Sequence, residues 1–81
     1  MMSKKHYNQT VGFADRLNEA ITDMGMSKKQ LAVLIGCDRR SVYEWCWGDT
    51  MPNSLLLARM CKVLSVSADY LLFGERGQNG S

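Results

Sequence analysis

The 81-residue sequence has one histidine, one proline and three cysteines, and no two cysteines stand three positions apart. An odd cysteine count without a C-x-x-C pair argues against both a disulfide framework and a structural zinc site. It suits a reducing compartment. Seven glycines and a single proline are too few for a fibrous or low-complexity chain. No uncharged stretch exceeds the nine positions from Thr50 to Ala58, well short of the ~20 a membrane helix needs. The amino terminus, Met1-Met2-Ser3-Lys4-Lys5-His6, leads into no apolar run, so no secretory signal is expected. No strand-like alternation occurs. The lone His6 sits in a tail and no acid–base pair clusters around it, so catalysis has little support. No metal and no cofactor are expected. One small domain that binds something is the better expectation.

Charge is uneven along the chain. The net +2 hides an acidic segment, 11–25, where Arg16 faces Asp15, Glu19 and Asp23. Positive charge gathers in the tail at Lys4 and Lys5, and again in the middle at Lys28, Lys29, Arg39 and Arg40. Asp38 and Glu44 oppose the second group. A polyanion would therefore be met by one face.

Apolar positions Phe13, Leu17, Ala20, Ile21 and Met24 form one helical stripe, closed by Gly25. Ser27 and Gln30 form a capping box that opens a second helix, with Leu31, Leu34 and Ile35 expected inside and Gly36 as its stop. Asp38 is placed to cap a third helix that turns Val42, Trp45 and Cys46 inward. Pro52 and Asn53 introduce a fourth, with a core stripe of Leu56, Leu57, Met60, Cys61 and Leu64. Ser67 opens a fifth, Ala68 to Phe73, ended by Gly74. The expected fold is all-α: a compact five-helix bundle over residues 11–74. Residues 1–10 read as a flexible basic tail, and 75–81 as a polar tail or the start of a linker.

Residues 28–47 carry the chemistry. Two short helices meet at a glycine turn, and Ala32 leaves room for a steep crossing. With Val42, Trp45 and Cys46 inside, the third helix exposes Arg40, Tyr43, Glu44 and Trp47, joined by Arg39. Guanidinium donors suit guanine edges, a carboxylate suits cytosine, and such a stripe suits a major groove.

The run Ser27-Lys28-Lys29-Gln30-Leu31-Ala32-Val33-Leu34-Ile35-Gly36-Cys37-Asp38-Arg39-Arg40-Ser41-Val42-Tyr43-Glu44-Trp45 resembles the helix-turn-helix of lambdoid phage repressors and Cro proteins, the Xre-like family. Met51-Pro52-Asn53 and Ser67-Ala68-Asp69-Tyr70-Leu71-Leu72 resemble that family's later helices. The resemblance implies a bacterial or phage-encoded, cytoplasmic, nucleoid-associated transcriptional regulator, more in the manner of a repressor. It implies a homodimer on an approximately palindromic double-stranded operator, with helix three in the major groove. Asp38, Arg39, Arg40 and Glu44 match its base-reading positions. Lys28, Ser41 and Tyr43 match positions near phosphates, and Lys29 adds a further candidate. Where many members carry an arginine–glutamate pair, this chain has Ile21 and Cys46. Where they offer a small polar residue after helix three, it has Trp47. Met51, Tyr70, Leu72 and Phe73 are the spare apolar residues for a dimer surface.

Competing roles stand beside these. Arg40 could instead pair with Glu44 one turn on, Asp38 could serve only as a helix cap, and Tyr43 could merely cover the helix pair. Trp47 could pack over the loop, touch the sugar backbone or face a partner subunit. Cys37, in the turn, is the cysteine expected to be accessible. A DNA-binding antitoxin, or a protein-interaction module of the same fold, is the alternative function.

Overall fold

A computed structural model of the chain describes residues 12–74. His6, Lys4, Lys5 and both expected tails lie outside the described residues. The order is α1 (Phe13–Asp23), α2 (Lys28–Ile35), α3 (Arg39–Trp47), α4 (Ser54–Leu64) and α5 (Ala68–Phe73). Among the described residues no strand forms, and no helix is long and apolar enough to cross a membrane.

The caps form as their chemistry demands. Ser27 Oγ accepts from the Gln30 amide at 3.0 Å, and Gln30 Oε1 accepts from the Ser27 amide at 2.7 Å. Asp38 Oδ1 accepts from the Arg40 amide, Asn53 Oδ1 from Leu56, and Ser67 Oγ from Tyr70. Each satisfies an amide that the first helical turn leaves without a partner.

One core joins all five helices: Phe13, Leu17, Ala20 and Ile21 from α1; Leu31, Ala32 and Ile35 from α2; Val42, Trp45 and Cys46 from α3; Met60 and Leu64 from α4; Leu71 from α5. Ile21 and Cys46 are both buried in it, so apolar burial stands where a charge pair was the family's habit. Leu56, Leu57 and Cys61 are half-buried against its edge.

Two expected core residues are outside. Leu34 is 58% exposed, and Ala32 takes its place. At about 100° per residue, positions 31, 35 and 32 span one arc of ~100°, and 34 falls beyond it. Met24 is also exposed: it is the cap residue after the last turn of α1, and the chain turns away at the left-handed Gly25 directly after it.

Three polar side chains tie helices together at their carboxyl ends. Arg16 Nε donates to the Leu71 carbonyl of α5 at 3.1 Å, and Arg59 Nη1 donates to the Ile35 carbonyl of α2 at 2.9 Å. Asn18 Nδ2 donates to the Cys46 carbonyl of α3 at 3.0 Å, and to Ala14 in its own helix at 2.9 Å. Last-turn carbonyls have no partner within their helix, so these donors do local as well as tertiary duty. Asn18→Ala should therefore lower stability by about 1–3 kcal/mol, because a part-buried carbonyl loses its donor. A urea unfolding curve with a lower midpoint and unchanged slope is the expected reading.

Candidate nucleic-acid interface

α2 and α3 pack against each other, with α1 behind α3 and α4 behind α2. Gly36 makes the join: its φ of +80° ends α2, and its amide bonds back to the Ala32 carbonyl. A β-carbon there would sit 3.4 Å from the Arg59 guanidinium in a backbone region L-residues avoid. α3 thus presents a fixed face. Its inward residues are nearly solvent-free, whereas Arg39, Arg40, Tyr43 and Trp47 are exposed and Glu44 is half-buried.

Asp38, Arg39, Arg40, Tyr43, Glu44, Trp47 and Asp49 line one open groove. All four expected base readers are among them. Asp38 both caps α3 and lines the groove. Among the described residues Arg40 and Glu44 form no ion pair with each other, although they stand one turn apart. The guanidinium donors therefore remain available to a ligand. Ser41 is half-buried beside the groove-facing residues.

Lys28 reaches this face from the first turn of α2. Its Nζ stands 5.6 Å from the centroid of the Tyr43 ring, within cation–π range. A cation at a helix amino terminus opposes the dipole, and the ring partly offsets that. Lys29 is not brought here. It lines a separate depression with Ser27, Gln30, Val33 and Leu34 on the outer side of α2.

Asp49 was not foreseen. It follows the left-handed Gly48 (φ +86°), and its amide bonds back to the Glu44 carbonyl, which folds the loop against α3. A glycine directly after a helix was the available signal. Asn18, which holds the last turn of α3, was also missed; an asparagine in mid-helix beside an apolar stripe was its trace.

The Cys37 thiol is half-buried, and its pKa is raised, by burial first and then by the neighbouring Asp38 charge. It is a weak nucleophile at neutral pH. Burial raises Cys46 and Cys61 as well, with the Lys28 charge opposing at Cys46. Groups raised on folding contribute stability below their ordinary values and lose it as pH climbs through the raised ones. The thiols, protonated at neutral pH, cost the fold nothing there, and they destabilise it in alkali, where they ionise more readily in the unfolded chain. Among the described residues no group of three or more His, Cys, Asp or Glu could hold a metal.

A helix-turn-helix family profile matches residues 17–71. The chain belongs to the helix-turn-helix family. It is 30% identical over 66 residues to YonR of Bacillus subtilis, described as an SPbeta prophage-derived uncharacterized HTH-type transcriptional regulator. That match covers 82% of this chain and 61% of the relative, so the chain spans less than two thirds of the relative's length. The solution structure of the DNA-binding domain of the P22 C2 repressor superposes with a TM-score of 0.74 at 25% identity, over 88% of this chain and 93% of that one. The resemblance to phage repressors is thereby borne out for family and fold. In this helix-turn-helix chain, the groove lies on the outer face of the second helix of the motif, between Asp38 and Asp49.

Proposed function

We propose that this helix-turn-helix chain is a sequence-specific double-stranded DNA-binding transcriptional regulator, acting as a repressor. In this reading it works as a homodimer on an approximately palindromic operator in the cytoplasm of a bacterial or phage-infected cell, with α3 in the major groove. The observation that carries this is the bare outer face of α3, where Arg39, Arg40, Tyr43 and Glu44 share one groove behind a fully packed inner face. Arg39 and Arg40 offer paired donors to guanine O6 and N7; Glu44 and Asp38 accept from cytosine N4. Lys28, Ser41 and Tyr43 meet the flanking phosphates. Lys29, on the other side of α2, adds only to the general positive field.

The groove holds two arginines against three carboxylates, Asp38, Glu44 and Asp49. Such a face attracts phosphate weakly and discriminates between bases strongly. A second subunit then supplies affinity by doubling the readout, with half-sites about one helical turn apart. Met51 and Phe73 are exposed and suit the subunit contact, and Leu55 on α4 adds a third exposed apolar side chain. Tyr70 and Leu72 are half-buried against their own core and contribute only their outer edges.

Selection from a randomised duplex pool at low salt tests the reading. A two-fold symmetric enriched motif is expected. No enrichment, together with a co-purifying protein, would favour the antitoxin or protein-interaction role instead. Lys28→Ala should weaken every duplex alike and flatten the plot of log affinity against log salt by about one unit. A changed base preference in that variant would move Lys28 among the base readers.

A further inference from the structure

Trp47 and Trp45 are two residues apart and opposite in fate: Trp45 is 3% exposed and Trp47 is 74% exposed. Trp47 is the last residue of α3, and the chain turns away at Gly48 immediately after it. Its side chain lines the same groove as Arg39, Arg40, Tyr43 and Glu44. Seven residues separate it from Arg40, a rise of roughly 10 Å along the helix. That is close to the width of a major groove, about 12 Å. With Arg40 at base edges and α3 angled across the groove, Trp47 falls on the strand that walls the groove.

The charged lining also selects the occupant. A second copy of this chain would have to bury Arg39, Arg40, Glu44 and Asp49 around the indole, whereas duplex DNA meets them with polar edges. The sugar ring offers an apolar face to the indole, and a phosphate oxygen can accept from its Nε1–H.

We propose that Trp47 is a DNA-contacting residue whose indole lies on the deoxyribose–phosphate strand bordering the groove, adding affinity without sequence preference. This rests on the DNA-binding reading above.

The buried Trp45 makes the test direct, because acrylamide-quenchable fluorescence belongs to Trp47. Adding a duplex that wild-type protein binds should protect the exposed indole. Trp47→Gln should weaken selected and random duplexes alike by roughly 10-fold, with the enriched motif and the unfolding midpoint unchanged. Trp47→Phe should lose less. If wild-type protein binds duplex while Trp47 stays fully quenchable, the assignment falls and the DNA reading stands. Protection that appears without DNA as protein concentration rises would also overturn it, making this a face between copies. Wild-type protein that binds no duplex would overturn both.

Discussion

Leu31→Ala should destabilise the domain by about 2–5 kcal/mol, whereas Leu34→Ala, three residues on, should change stability by less than about 0.5 kcal/mol. Both leucines lie on α2, but Leu31 is 0% exposed and Leu34 is 58% exposed. Truncating Leu31 removes transfer free energy and leaves a cavity in the core that joins the five helices. A chain of this size holds only roughly 4–12 kcal/mol in total. The Leu31 variant should therefore show a much lower urea midpoint with the same slope, and partial unfolding near body temperature. Equal losses in the two variants would mean that α2 is rotated from the orientation described, and that the groove is not built as it stands.

Arg40→Ala should relax preference at a single base pair, costing about 1–3 kcal/mol, or roughly 5- to 150-fold in discrimination. Binding to unrelated duplexes should change far less, because in the proposed docking the phosphate contacts are made by Lys28, Ser41 and Tyr43. The exposed guanidinium, one turn from Glu44 without pairing to it, is the reason to expect a base contact. Competition binding with a selected duplex and its three single-base variants at each position would show the lost preference. Unaltered discrimination at every position would count against α3 as the reading helix.

Much of the architecture was legible because it is written locally. Helix caps at Ser27, Asp38, Asn53 and Ser67 depend on amides three residues away or fewer, and the left-handed Gly36 and Gly48 depend on their missing side chains. The inner face of α3 was equally clear, since Val42, Trp45 and Cys46 repeat at three and four. Periodicity failed where several apolar residues compete for one arc. In α2, Leu31, Ala32, Val33, Leu34 and Ile35 are all apolar, and only the crossing with its neighbours decides that Ala32 goes in and Leu34 stays out.

The tertiary hydrogen bonds had no local signature. Arg16 with Leu71 and Arg59 with Ile35 join positions far apart in sequence, and their donors look like ordinary surface charges until the helices are in place. The same holds for Lys28 over Tyr43, whose apposition exists only once α2 and α3 cross. For the interface, residue types and spacing announced which side chains α3 would expose. They did not reveal that Lys29 would leave the group or that Asp49 would join it.

The most direct check on the outer face of α3 is a titration of ¹⁵N-labelled protein with a selected duplex, followed by amide chemical shifts. The largest changes should fall at Lys28 and across Arg39–Trp47, with smaller ones near Met51, Leu55 and Phe73, the proposed subunit contact. Saturable binding that shifts α4 and α5 while leaving Arg39, Arg40 and Glu44 unmoved would contradict the placement of DNA on this helix.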